Sequence, residues 1–303
     1  MINTKKSFLP YTILFFLALT WGSSFILIKR SLESFSSNEV GALRIVITWL
    51  FLLPFAIRRL KRFTVRQWIY LIIVGIVGSL APAFLFAAAQ QGIDSSLAGI
   101  LNSLTPLFTL ITGMIFFSLK PKWYNIVGVL IGLIGAAGLV KVSGSGSFTF
   151  NLGYASLIVI AAICYAVNVN IIKAFLSDIP PVTITSLAFF TIGPFTLIYL
   201  SFFTPFFQNI TTNSHAFVGL GYLSILAIIG TGLALMLFNK VIQMTSAVFA
   251  SSVTYFIPVI ALIWGITDGE TFKPGFVLFV LLVIVGVLMV NTTRLPAFLK
   301  PHK

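Results

Sequence analysis

Apolar residues fill most of this chain in long stretches that polar residues interrupt only briefly. A bilayer core about 30 Å thick requires around 20 mostly apolar residues to be crossed by one α-helix. Ten stretches approach or reach this length, and they cover residues 11–28, 40–57, 68–89, 97–117, 123–140, 152–172, 182–203, 217–238, 247–266 and 274–290. The pattern predicts ten transmembrane helices joined by short connections.

The ten runs lack the alternation of period two that a membrane strand would show, and each is too long for a strand. Hydrophobic residues make up 58% of the chain and charged residues 8%, whereas soluble domains carry about a quarter charged residues. We therefore predict an all-α integral membrane protein whose main partner is the lipid bilayer. This composition excludes a soluble enzyme.

The 19 basic residues outnumber the six acidic ones, but they lie between the runs and form no single basic face. This distribution argues against nucleic acid as a partner. The connections on one side of the predicted bundle hold fourteen Lys and Arg, and those on the other side hold four. The positive-inside rule then places both termini in the cytoplasm, and we expect a bacterial inner membrane as the location.

The chain resembles itself at a fixed distance. A shift of 152 residues aligns residues 70–113 with 222–265 without a gap and gives thirteen identities in forty-four positions, including Gly78 with Gly230 and Phe86 with Phe238. We therefore expect two five-helix repeats, residues 1–146 and 147–303. An odd number of spans inverts the second repeat relative to the first, and such inverted repeats are typical of transporters.

Two prolines lie at equivalent positions of these repeats, in the middle of the fourth and ninth runs. Proline removes a helical hydrogen bond and frees the carbonyl four residues earlier, so Pro106 would free that of Asn102 and Pro258 that of Thr254. Broken helix at this depth requires protein or a watery cavity around it. We predict a substrate cavity here. The alternative is a packing kink in which Ser and Thr hydroxyls bond to their own helix.

Polar and aromatic residues of the first and sixth runs complete the predicted cavity. A shift of 144 residues pairs Trp21 with Tyr165. Aromatic rings beside amides and hydroxyls suit a solute with an apolar body and a few polar groups. The residues predicted to line the cavity are Trp21, Ser24, Asn102, Thr105, Tyr165, Asn168, Thr254 and Tyr255. The alternative for each asparagine is a hydrogen bond that only holds two helices together.

Three basic residues near run ends are candidates for gates or for membrane anchors. Lys29 and Lys173 occupy matched positions and end their runs on opposite sides of the membrane. Arg44 lies near the start of the second run, where we expect it to reach the interface or to pair with Glu39 rather than to touch a solute.

No catalytic or metal site is expected. All acidic residues lie in connections or at run ends, and both histidines lie outside the runs. No run therefore holds a His or an acid that could activate a serine or bind a metal ion. We predict a protein that is not an enzyme and that uses no metal and no cofactor.

Several short motifs resemble those of the EamA-type carriers of the drug/metabolite transporter superfamily. They are Trp21-Gly22-Ser23-Ser24-Phe25 with Lys29, Arg44 in the second run, the two prolines Pro106 and Pro258, and Gly269-Glu270 before a final run that contains glycine. The resemblance implies a basket of ten helices that exports or facilitates movement of amino acids and related metabolites. It gives Glu270 the place of an acidic residue after the ninth run and makes it a further candidate for a gate or anchor, whereas the equivalent place after the fourth run holds Ser118.

The sequence thus predicts a carrier for small amphipathic metabolites such as amino acids, an exporter or facilitator that works by alternating access around a central cavity. A solute channel and a structural membrane protein that moves no solute are the alternatives. The solute, the direction of transport, the coupling ion and the oligomeric state are left open.

Overall fold

The computed structural model describes residues 8–60, 63–93, 95–143, 152–257, 259–260 and 275–290. Within these ranges all regular structure is helical, as predicted. In chain order the helices are α1 Leu9–Leu32, α2 Ser37–Ile57, α3 Val65–Ala89, α4 Ser95–Asn102, α5 Thr105–Phe116, α6 Trp123–Ser143, α7 Leu152–Phe175, α8 Pro181–Phe203, α9 Phe206–Thr212, α10 Ala216–Met244, α11 Ala247–Phe256 and α12 Gly275–Val290.

Six of the described helices are long and apolar enough to cross a membrane, namely α1, α2, α3, α7, α8 and α10. Shorter apolar helices occupy the fourth, fifth, ninth and tenth predicted runs. The all-helical membrane class is confirmed, and the count of ten spans stays a prediction.

Short polar connections determine where two of the long helices begin. The Ser36 hydroxyl accepts a hydrogen bond from the Glu39 amide, and the Glu39 carboxylate accepts one from the Ser36 amide at 2.9 Å. Thr64 and Gln67 form the same reciprocal arrangement at the start of α3. Each pair satisfies backbone donors that the first turn of a helix otherwise leaves unbonded.

Helices α3 and α10 each contain one widened, π-helical stretch in mid-helix. It covers Ile76–Leu80 in α3 and Ile228–Leu233 in α10. The two stretches begin 152 residues apart, the same shift that aligns the sequence with itself. Such turns disturb the regular ladder of backbone bonds and occur frequently at functional sites.

The fourth predicted run is broken into two helices. α4 ends at Asn102 and α5 begins at Thr105, so Pro106 lies in the first turn of α5, where its missing N–H is not needed. At the corresponding place α11 tightens into a 3₁₀ turn over Ser252–Phe256. Pro258 lies outside the described residues.

Helices α6 and α12 pack with their backbones in direct contact. A Cβ atom added to Gly286 would lie 2.6 Å from the Gly132 nitrogen and 2.7 Å from the Gly128 oxygen. Small residues at such a crossing allow close van der Waals packing, which drives helix association in lipid. Glycine is therefore required at this contact.

Two buried clusters lie at opposite ends of the bundle. The larger includes the start of α1 and the ends of α7 and α10, with Leu14, Leu17, Ile172 and Ile242 among its members. The smaller joins the end of α1 to the starts of α2 and α10.

Candidate substrate cavity

A cavity with about 840 Å³ of atom-free space, its open mouth included, lies among α1, α2, α3, α7, α10, α11 and the break between α4 and α5. The structure brings seven of the eight predicted cavity residues into its wall: Trp21, Ser24, Asn102, Thr105, Tyr165, Asn168 and Thr254.

Tyr255 is the exception. Its hydroxyl donates to the Val129 carbonyl oxygen at 2.8 Å, and its ring fills the space beside Gly132 on α6. The side chain is completely buried among α6 and α11. The expectation that Tyr255 faces the cavity is wrong, because neighbouring residues of a 3₁₀ turn point about a third of a turn apart and Thr254 takes the cavity side.

The wall on the α10 side is built around Trp21. Its indole Nε1 donates to the Gly230 carbonyl oxygen at 2.9 Å. The widened turn of α10 contains this carbonyl, so the turn provides an acceptor for a side chain of another helix. The Trp21 ring also meets Phe238 edge to face, with 5.0 Å between ring centroids.

The opposite wall, on the α3 side, has a similar arrangement. The Tyr165 ring lies 6.0 Å from that of Phe86. Asn168 packs directly on Gly78 in the widened turn of α3, so a Cβ added to Gly78 would lie 2.5 Å from Asn168 Oδ1. The absence of a side chain at Gly78 therefore allows α3 and α7 to approach each other closely at this depth.

Some contacts in the two walls lie at positions that the sequence alignment relates to each other. A shift of 144 residues relates Trp21 to Tyr165, and a shift of 152 relates Phe238 to Phe86, so the contact Trp21–Phe238 has its counterpart in Tyr165–Phe86. A Cβ added to Gly230 would lie 3.1 Å from the Ser24 hydroxyl oxygen, and the same two shifts relate this contact to that of Gly78 with Asn168. The wall therefore contains matching contacts from the two halves of the chain.

Arg44 lies in the cavity wall and departs from both expectations made for it. Its Nε donates to the Thr231 hydroxyl at 2.9 Å, and its guanidinium also interacts with Tyr165. It does not pair with Glu39, whose carboxylate instead accepts from Asn209 Nδ2 at 2.9 and 3.1 Å. Arg44 therefore points inward, because Thr231 supplies an acceptor in the widened turn.

The two backbone carbonyls that the prolines were expected to expose are both hydrogen-bonded. Thr105 Oγ1 donates to the Asn102 oxygen at 2.6 Å, and Ser103 Oγ donates to the Thr254 oxygen at 3.0 Å. The Thr105 bond stays within the fourth predicted run, as the packing alternative holds, whereas the Ser103 bond joins two different helices. The side chains of Asn102 and Thr254 nevertheless line the cavity.

The two matched lysines have different surroundings. Lys173 Nζ donates to the Ile242 and Gln243 oxygens at 3.1 and 3.2 Å, and Gln243 Nε2 donates to the Ile179 oxygen at 2.7 Å. These bonds join the ends of α7 and α10. Lys29 is exposed at the end of α1. Of the other gate candidates, Glu270 lies outside the described residues.

Sequence reasoning gave no cavity role to four further residues of the wall, Phe25, Gly78, Phe86 and Phe238. A signal was available, because Gly78/Gly230 and Phe86/Phe238 are identities of the repeat alignment. Asn170, by contrast, holds α7 to α5 through the Thr109 oxygen and the Thr112 hydroxyl. Among the described residues no group of three or more His, Cys, Asp or Glu is placed to hold a metal ion.

Related proteins carry transporter names. The chain is 26% identical over 263 residues to the uncharacterized inner membrane transporter YedA of Escherichia coli strain K12, across 85% of this chain and 82% of that protein. It is 28% identical over 173 residues to an uncharacterized transporter of Archaeoglobus fulgidus, across 56% of this chain and 60% of that one.

A solved crystal structure has the same fold, with a TM-score of 0.71 and 17% identity over 93% of this chain and 96% of that one. The model of the EamA-like transporter family matches the chain twice, over residues 9–141 and 152–292. These two matches cover most of the sequence. The protein is an integral membrane protein and belongs to the EamA-like transporter family.

Proposed function

We propose that this protein is a carrier, not an enzyme, that exports small amphipathic metabolites such as amino acids or facilitates their passage across a bacterial inner membrane by alternating access. The observation that carries the proposal is a cavity whose two walls hold matching aromatic contacts from the two halves of the chain. A site shared in this way can be exposed to either side when one half rocks against the other.

The two halves are residues 1–146 and 147–303, and the second is inverted relative to the first. Two observations support this arrangement: the widened turns begin 152 residues apart, and the family model matches once in each half. We propose that both termini are cytoplasmic, because the basic connections then lie inside.

The chemistry of the wall supports an amphipathic solute. Aromatic rings of Trp21, Phe25, Phe86 and Phe238 provide apolar surface, and the amide of Asn102 provides hydrogen bonds. A few polar groups in a mostly apolar pocket orient a ligand and give specificity.

The two ends of the cavity support alternation between states. At the end where α7 and α10 finish, the Lys173 ammonium donates to the carbonyl oxygens of Ile242 and Gln243 beside the larger core cluster, which supports a closed state at this end. Lys29, its counterpart, is exposed. We propose that Lys29 binds the equivalent end of α3, near Gln91, when the Lys173 bonds open.

Proteoliposomes that contain the purified protein test this function. Uptake of radiolabelled L-phenylalanine and L-leucine should saturate and should accelerate when the same unlabelled amino acid is loaded inside. Uptake that rises linearly with concentration and ignores internal solute would indicate a channel. A rate equal to that of protein-free liposomes for both amino acids would favour a structural role.

A further inference from the structure

One charged side chain, Arg44, lines the cavity among the described residues of its wall. A guanidinium stays protonated in proteins, so this positive charge cannot be removed by titration. A fixed cation inside a membrane protein is costly unless an anion or several polar groups compensate for it.

The nearest acid along the same helix does not provide that compensation. Glu39 is completely buried, and its carboxylate is occupied by Ser36 and by Asn209 Nδ2. No acidic residue belongs to the cavity wall in the part of the chain that the structure describes. Arg44 therefore lies beside the cavity with neutral partners only in that part.

The position of the guanidinium is fixed from one side. Nε donates to Thr231 Oγ1 at 2.9 Å, and the Thr231 hydroxyl donates in turn to the Leu226 oxygen at 3.0 Å across the widened turn. Tyr165 interacts with the same group. The other four N–H donors are carried by the two terminal nitrogens, whose fork matches the two oxygens of a carboxylate.

Apolar rings surround this charged group. The ring centroids of Trp21 and Phe238 lie 5.0 Å apart on one wall, and those of Phe25 and Phe86 lie 6.0 Å apart on the other. All four residues line the same cavity as Arg44.

We propose that Arg44 binds the carboxylate of the transported solute, while the aromatic walls hold its apolar body. The solute is then a small monocarboxylate with an aromatic or aliphatic body, with or without an amino group. This inference rests on the proposed function and adds its recognition group. An amine of the same shape without a carboxylate would be repelled by Arg44.

Three probes that share a phenylethyl body test the inference on the purified full-length protein. They are 3-phenylpropionate, which carries a carboxylate, L-phenylalanine, which carries a carboxylate and an ammonium group, and phenethylamine, which carries an ammonium group alone. Ligands that bind the folded state raise its apparent stability, so thermal unfolding at several concentrations gives each affinity. The two carboxylates should stabilise the protein, and phenethylamine should not.

Arg44→Gln should weaken binding of both carboxylates by about tenfold or more, because the charged donor is lost. Arg59→Gln is the matched control, since Arg59 is only partly buried and donates to the Phe55 oxygen outside the cavity. It should bind the carboxylates as the unchanged protein does. Arg44→Lys keeps the charge without the fork and should retain part of the affinity. If Arg44→Gln does not fold, Arg44→Lys provides the test. Its ratio of affinities for 3-phenylpropionate and phenethylamine should be smaller than that of the unchanged protein.

Equal carboxylate binding by Arg44→Gln and the unchanged protein would overturn the inference. So would a folded Arg44→Lys protein with an unchanged preference, phenethylamine binding as tight as that of 3-phenylpropionate, or no binding of either carboxylate. Flux in proteoliposomes separates this inference from the function. Carboxylate binding without flux would contradict the proposed carrier function and support the carboxylate site at Arg44. Flux of phenethylamine alone would support the carrier function and contradict the carboxylate site.

Discussion

The indole N–H of Trp21 donates to the carbonyl oxygen of Gly230 at 2.9 Å. The two residues are 209 positions apart in the chain, and the bond connects α1 to the widened turn of α10. It lies in the cavity wall, where a change in the relation between these helices would break it.

Trp21→Phe keeps an aromatic ring and removes this donor. We expect a loss of about 1–3 kcal/mol in unfolding free energy, because the hydrogen bond that connects α1 to the buried Gly230 carbonyl is lost. Thermal unfolding in detergent measures the effect. Trp123→Phe is the control, since Trp123 is exposed at the start of α6. An equal loss in both variants would mean that the bond has no special importance.

Gly78→Ala tests the close contact between the widened turn of α3 and Asn168. The added methyl group would meet Asn168 Oδ1 at 2.5 Å, so we expect lower stability and a displaced cavity wall. Gly221→Ala introduces the same methyl group where no atom lies within 4 Å. That variant should be neutral or gain up to about 1 kcal/mol, because alanine favours helix over glycine. Both are measured by thermal unfolding and phenylalanine uptake, and equal loss in both would contradict the contact.

Tyr255→Phe distinguishes a packing role from a cavity role. Loss of the bond to the Val129 oxygen should cost about 1 kcal/mol of stability and leave the affinity for 3-phenylpropionate unchanged. Thr254→Val, one residue earlier, changes the cavity wall and should change that affinity. The two affinities come from the stability titrations described above. A weaker affinity for 3-phenylpropionate in Tyr255→Phe would indicate that Tyr255 contributes to the cavity after all.

The sequence allowed the membrane class to be predicted, and it pointed to several residues that line the observed cavity, because both depend on strong patterns. Long apolar runs specify helices in lipid, and polar residues inside such runs are costly unless they face protein or water. Asn102 and Thr254 therefore could be assigned to an interior site. Gly78 and Phe86 are also identities of the repeat alignment. The close contact of Gly78 with Asn168 leaves no room for a larger side chain at position 78.

The orientation of individual side chains was harder to predict. Arg44 lies close enough to the start of α2 to reach the interface, and its inward direction depends on Thr231, which is 187 residues away. Tyr255 follows a cavity residue, and only the local 3₁₀ geometry determines which of the two faces α6. Both outcomes depend on tertiary contacts that no local pattern contains.

The proposed gate at Lys173, where α7 and α10 end, gives a prediction about access to the cavity. Lys173→Met removes the donors to the ends of α10, so this end should open more often. A cysteine introduced at Ser24 in a Cys164→Ala background reports access to the cavity. A membrane-impermeant thiol reagent should label it faster in Lys173→Met from the side on which α7 and α10 end, which is the cytoplasmic side in the proposed topology. Lys240→Met, which changes an exposed lysine of α10, should leave the rate unchanged. Unchanged labelling in both would mean that Lys173 does not act as a gate.

The same Ser24→Cys reporter, with Lys173 intact, tests alternating access most directly. Inside-out and right-side-out vesicles are labelled with and without saturating L-phenylalanine, and the rate is measured from each face. Alternating access predicts labelling from both faces, with the solute raising the rate on one face and lowering it on the other. Equal rates from both faces that the solute leaves unchanged, or labelling from one face alone under every condition, would contradict the account.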